Sequence, residues 1–135
     1  MSAPEQRTIP VRVLLVDDDQ GFTDVLRRRL VRRGLTVRTA GDGGEAFSMI
    51  EAEPFDVVVL DVGLPDVDGM QLLRAIKRCS RSIEVIVLTG GDTGTLESFR
   101  AGAFDLFNKP AGADVLADRI MEAARSRIGR TPETG

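Results

Sequence analysis

The sequence predicts an α/β fold: a five-stranded parallel sheet with helices on both faces. Three observations lead there. Short runs rich in valine and isoleucine alternate with segments of helical period, the alternation repeats five times along 135 residues, and residues 57–60 are apolar at every position, as a strand covered on both faces must be. Parallel neighbours need crossover connections, and the intervening helices supply them.

Taken in order, residues 11–16 read as a buried strand, and residues 20–33 as a helix whose Phe22, Val25, Leu26 and Leu30 form one apolar stripe. Gly34 stops that helix. Residues 36–40 make the second strand; residues 43–52 make a helix with Ala46, Phe47 and Ile50 turned inward, closed off by Pro54. The third strand, 57–60, leads to a helix over 70–79 with Leu72, Leu73 and Ile76 on its core side. Residues 85–89 form a fourth strand followed by a short, glycine-rich helix near 95–101, and residues 105–108 a fifth strand followed by a last helix over about 113–127. Right-handed crossovers leave few strand orders, and the doubly wound, flavodoxin-like order 2-1-3-4-5 is expected, with ligands outside the carboxyl ends of strands one and three. Residues 1–10 read as a flexible polar tail, 11–127 as one domain, and 128–135 as a second tail or the start of a linker.

Composition narrows the chemistry. The chain carries 18 basic and 21 acidic residues, a formal charge of −3, one cysteine and no histidine. Without histidine there is no Ser-His-Asp or Cys-His catalysis, no zinc-histidine site and no phosphohistidine of its own. Catalysis is left to carboxylates, hydroxyls and lysine. Cys79 has no partner for an internal disulfide, and no apolar run reaches the roughly 18 residues of a membrane span, so a cytoplasmic protein with no membrane contact is expected. Mild acidity argues against direct nucleic-acid binding; the cluster Arg27, Arg28, Arg29, Arg32 and Arg33 reads either as a solvated helix face or as a docking feature.

The strand ends carry the chemical signal. Strand one ends in Asp17, Asp18 and Asp19, strand three in Asp61, strand four in Thr89, and strand five in Asn108, Lys109 and Pro110. An acidic run after a strand is by itself turn and helix-cap chemistry, and a lone Lys-Pro is a loop. Converging at one crevice, however, the carboxylates repel, and a hard divalent cation such as Mg2+ keeps them ionised. Lysine and hydroxyl beside them fit a second anion. These are the ingredients of phosphoryl transfer to a carboxylate.

With Val13-Leu14-Leu15-Val16-Asp17-Asp18-Asp19, Leu60-Asp61 through Asp68-Gly69, Val87-Leu88-Thr89-Gly90 and Asn108-Lys109-Pro110 in this order, residues 11–127 resemble a response-regulator receiver domain of two-component signalling. The resemblance implies that Asp61 accepts a phosphoryl group from a phosphohistidine on a sensor histidine kinase or histidine phosphotransfer protein. It implies that Asp18, Asp61 and the Gly63 carbonyl ligate Mg2+, that Asp17 acts through a metal-bound water, and that Thr89 and Lys109 hold phosphoryl oxygens. It also implies a cis Lys109–Pro110 bond and a downstream protein target or output domain, met around Leu96, Leu106 and the last helix. Asp19 lies outside the matched pair and reads as a cap.

The sequence departs from the family in two ways. Leu106 stands where an aromatic switch residue is common, and Phe107 falls on the opposite sheet face, so switching is expected through the Thr89 loop and the short helix after it. Gly63 and Gly91 stand where larger side chains tune hydrolysis, which leaves the site open. Four rivals keep the same fold class or the same acids. Gly41-Asp42-Gly43-Gly44-Glu45-Ala46 satisfies a dinucleotide motif but follows the second strand. A haloacid-dehalogenase-type enzyme lacks its second aspartate, because Gly63 occupies the position; an EF-hand counted from Asp17 meets Arg28 where glutamate belongs. A pseudo-receiver that takes no phosphate would be expected to have lost an acceptor, metal or lysine position, and none is lost.

Overall fold

The computed structural model describes residues 10–90, 100–109 and 112–129. Among them the elements run β1 (Arg12–Val16), α1 (Gln20–Arg32), β2 (Thr36–Ala40), α2 (Gly43–Ala52), β3 (Val57–Asp61), α3 (Gly69–Cys79), β4 (Glu84–Thr89), β5 (Asp105–Asn108) and α4 (Ala113–Gly129). The five strands form one parallel sheet in the order β2-β1-β3-β4-β5, as expected. The short helix expected near 95–101 falls outside the described residues except for Arg100, which is helical, and Ala101; Gly91, Leu96 and Pro110 also lie outside them.

Strand alternation sorts the core into two layers. Val13, Leu15, Val57, Val59, Ile86 and Leu88 face α1 and α4, where they meet Leu26, Leu30, Leu116 and Ile120. Leu14, Val16, Val58, Leu60, Val85 and Val87 face α2 and α3, where they meet Ala46, Ile50, Leu73 and Ile76. β3 and β4 are buried at every residue, which is why they read as unbroken apolar runs; β2 lies at the sheet edge and keeps Arg38 and Thr39 exposed. Phe107 packs with the first layer and Leu106 with the second, on opposite faces as alternation requires.

The helix ends follow local chemistry. Asp19, Asp42 and Asp68 cap α1, α2 and α3, each carboxylate accepting an amide of the first turn. Gly34, at φ 88°, ends α1: its N–H reaches the Val31 carbonyl and the Leu35 N–H the Leu30 carbonyl. One expectation on α1 fails. Val25 is 48% exposed, and Thr23 is buried in its place. Leu26 and Leu30 set the buried direction, and Val25 stands about 100° from Leu26 around the helix. Thr23 lies nearer that direction and satisfies its hydroxyl on the Asp19 and Gln20 carbonyls.

The start of α3 is sterically tight. A Cβ on Gly69 would lie 2.4 Å from the Val62 Cα, a backbone atom that no rotamer change can move aside. Gly69→Ala is therefore expected to destabilise the protein by about 3 kcal/mol. Gly90→Ala, where nothing lies within 4 Å, is the near-neutral control. Urea titration followed by far-UV circular dichroism checks both.

Candidate functional site

β1, β3, β4 and β5 end side by side, so the topology alone brings Asp17, Asp61, Thr89 and Lys109 to one crest of the sheet. Strand β3 runs one residue further than the apolar pattern predicts, and Asp61 is its last residue. Backbone bonds fix the loops above: Asp17 N–H to the Ala40 carbonyl at 3.1 Å, Val62 N–H to the Leu88 carbonyl at 3.0 Å, and Lys109 N–H to the Thr89 carbonyl at 2.7 Å.

Asp17, Asp61 and Thr89 are buried, while Asp18 is exposed beside them. One carboxylate oxygen from each of Asp17, Asp18 and Asp61 lies within 4.8 Å of the others. The Lys109 ammonium donates to Asp17 Oδ2 at 3.0 Å and to Asp61 Oδ2 at 3.5 Å. Each buried carboxylate uses its second oxygen on a backbone amide: Asp17 Oδ1 accepts from Asp19 N–H and Asp61 Oδ1 from Gly63 N–H, both at 2.9 Å. The Lys109 ammonium also sits 5.6 Å from the Phe22 ring centre, a contact on α1 that sequence reading did not anticipate.

The electrostatics follow from that arrangement. Burial pushes the Asp17 carboxyl up, against the pull of the Asp19 amide and Lys109, and the neighbouring Asp61 charge pushes the same way as burial. Burial works to lower the Lys109 ammonium, but Asp17 and then Asp61 outweigh it, so its pKa is raised and it stays charged. Three carboxylates around one ammonium leave an excess of two negative charges at a largely buried spot. An all-oxygen donor set with that excess fits a hard divalent cation such as Mg2+.

The other sequence candidates sort out as follows. Asp19 is a cap, its Oδ1 accepting the Phe22 N–H. Four of the clustered arginines are paired on the surface: Arg27 and Arg28 with Asp24 on α1, Arg29 with Asp114 and Arg33 with Asp118 on α4. The dinucleotide motif is accounted for internally. The α2 amides that a pyrophosphate would need are taken by Asp66, whose two oxygens accept Gly43 N–H at 2.9 Å and Gly44 N–H at 3.1 Å. Asp66 is also the residue that sequence reading passed over. Its partners stand 22 and 23 residues away, and no local pattern marks such a contact.

Comparison with known proteins identifies the family. The family model for the response regulator receiver domain matches residues 13–121. Response regulator MprA of Mycolicibacterium vanbaalenii is 36% identical over 129 residues, covering 94% of this chain and 54% of the relative. The transcriptional regulatory protein GlrR of Escherichia coli is 33% identical over 126 residues, covering 92% of this chain and 28% of the relative. The chain thus spans about half the length of the first and less than a third of the second. Among solved structures, a CheY-like receiver domain protein from Methanospirillum hungatei superposes with a TM-score of 0.85 at 30% identity, covering 89% of this chain and 98% of that one. The receiver domain of NtrX from Brucella abortus gives 0.79 at 30% identity, with 84% and 98% covered. By fold, by sequence and by what its strand ends hold together, this chain belongs to the response regulator receiver domain family.

Proposed function

We propose that the chain is a phosphoacceptor switch: Asp61 takes a phosphoryl group from a phosphohistidine on a partner protein, and the modified face then gains or loses a protein contact. The observation that carries this reading is the Lys109 ammonium lying between Asp17 and Asp61, inside a set of three carboxylates gathered at neighbouring strand ends. These 135 residues contain no histidine, so the donor lies outside them, and the proposed donor is a sensor histidine kinase or a histidine phosphotransfer protein.

In the reaction an Asp61 oxygen attacks phosphorus, the P–N bond to the partner's imidazole breaks, and the imidazole leaves with that electron pair. The Gly63 N–H on Asp61 Oδ1 holds the carboxylate plane and leaves Oδ2 toward Lys109. Lys109 pairs with one phosphoryl oxygen, releasing its hold on Asp61, and the Thr89 hydroxyl serves another. Asp17, Asp18, Asp61 and the Gly63 carbonyl are the groups that would hold Mg2+, Asp17 through a water. When bound, the ion offsets negative charge among the carboxylates and on the phosphoryl oxygens. The chain is a switch that catalyses its own phosphorylation and dephosphorylation and has no metabolic substrate.

The relatives named above are regulators longer than this chain, one of them a transcriptional regulatory protein, and a downstream protein target or output domain is proposed with the function. A cytoplasmic location is proposed with the function; among the described residues no helix is long and apolar enough to cross a membrane. The test is incubation with a small-molecule phosphodonor and Mg2+, followed by intact-mass measurement and peptide mapping. The expected result is the gain of one phosphoryl group, mapped to Asp61. No gain under conditions that modify a known receiver overturns the proposal in favour of a pseudo-receiver.

A further inference from the structure

The glycine pair that opens α2 resembles a nucleotide motif in sequence, and in the structure it holds a carboxylate of the same chain. Asp66 stands in the connection between β3 and α3, residues 62–68, which carries Gly63 next to Asp61. Both of its oxygens are used, one on each of the first two α2 amides. Asp42 takes the third amide, Glu45 N–H, at 2.8 Å, and the fourth, Ala46 N–H, closes on the Asp42 carbonyl. Of the three orphan amides in this first turn, two are thus satisfied by a residue from another element.

We infer that Asp66 is a positioning residue: clamped on the first two amides of α2, it holds the connection after β3 in the conformation that keeps the Gly63 N–H on Asp61. The inference rests on the proposed role of Asp61. Steric detail around the clamp supports it. A Cβ on Gly43 would lie 2.4 Å from Val67 Cγ2, so Val67 occupies the space a side chain at 43 would need, next to the Asp66 clamp. At its two ends the connection is held by its own neighbours: Gly63 on Asp61 at one, Gly69 against Val62 and the Asp68 cap at the other. Leu64 gives an apolar anchor in the second core layer, and Asp66 gives the polar tie to a different helix. The Gly43 amide, with that of Gly44, holds the Asp66 carboxyl below the usual carboxylate range, so the clamp is charged at neutral pH.

Three variants test this, with readouts taken on metal-free protein and on Mg2+ binding as well as on phosphorylation. In Asp66→Ala, the Gly63 amide is expected to exchange with solvent at least roughly tenfold faster, and the Mg2+ concentration for half-maximal thermal stabilisation to rise about tenfold, the usual scale for removing a support behind a metal ligand. Asp66→Asn, which keeps one acceptor oxygen, is expected to fall between Asp66→Ala and wild type, and it decides the matter if Asp66→Ala does not fold. Asp42→Ala weakens the same helix end from its own side; it is expected to speed exchange at Glu45 and to leave Gly63 and Mg2+ binding unchanged. Unchanged Gly63 exchange in both Asp66 variants, or an equal change in Asp42→Ala, overturns the inference. A wild-type protein that takes no phosphoryl group removes the proposed function instead, while the exchange measurements still decide what Asp66 holds.

Discussion

Replacing Asp61 by asparagine is expected to abolish phosphoryl uptake under conditions where the wild-type chain is fully modified. The substitution keeps the shape of the side chain and an oxygen for the Gly63 amide, now at 2.9 Å from Asp61 Oδ1, so the loop has no reason to move. What it removes is the anionic nucleophile, and a neutral amide does not replace it. Lys109→Ala is expected to fold, because Lys109 is only half-buried, but to slow uptake by roughly 100-fold through loss of one fixed charge at the transferring group. Intact-mass time courses with a small phosphodonor measure both. The outcome that sinks the assignment is retained uptake in Asp61→Asn together with loss in Asp18→Asn, which would make a neighbouring carboxylate the acceptor. A phosphorylated Asp61→Asn with every other aspartate variant unaffected would move the chemistry out of the crevice altogether.

The sequence made that crevice legible because it depends on order along the chain. Strand periodicity and right-handed crossovers determine which strand ends are neighbours, and the residues at those ends then have to meet. Asp19 as a cap and the opposite facing of Leu106 and Phe107 follow from equally local rules. What escaped was held by contacts with no local signature. Asp56 and Glu84 are buried although they are acidic, and the Asp56 carboxylate accepts the Arg12 backbone N–H at 2.8 Å across 44 residues. Asp66 reaches α2 in the same manner. Thr23 took a core position from Val25 because a threonine hydroxyl can be satisfied by its own helix backbone, a possibility that a count of apolar residues does not register. The arginines of α1 were readable as exposed, but their pairing with Asp114 and Asp118, 85 residues on, required the α1–α4 packing itself.

Asp17→Asn is expected to reverse the order of stability between variant and wild type when Mg2+ is added. In the metal-free protein the burial of Asp17 and the nearby Asp61 charge raise its pKa above the ordinary 3.8. The folded state therefore binds that proton more tightly than the unfolded chain does. As pH climbs from about 4 to the raised folded value, the unfolded chain has lost this proton and folding must take one up from an ever scarcer supply, so stability falls across that window, and the whole penalty stands at neutral pH. Asparagine at 17 escapes it while offering Lys109 an uncharged oxygen at the position of its 3.0 Å bond. The Lys109 ion pair works the other way: its raised pKa marks a stabilisation that is fully present below about 10.5 and that the variant partly forfeits, but the Asp17 pKa is raised in spite of Lys109, so burial outweighs the pair. The variant should therefore be more stable than wild type without metal. With Mg2+ at a hundredfold excess over its dissociation constant, wild type gains about 2.7 kcal/mol, and the variant, its acid set reduced by one, gains far less. Urea melts followed by far-UV circular dichroism read this directly, since the chain has neither tryptophan nor tyrosine. Curves that keep the same order with and without Mg2+ would mean that Asp17 neither suffers from the crowding of charge around it nor helps an ion to relieve it.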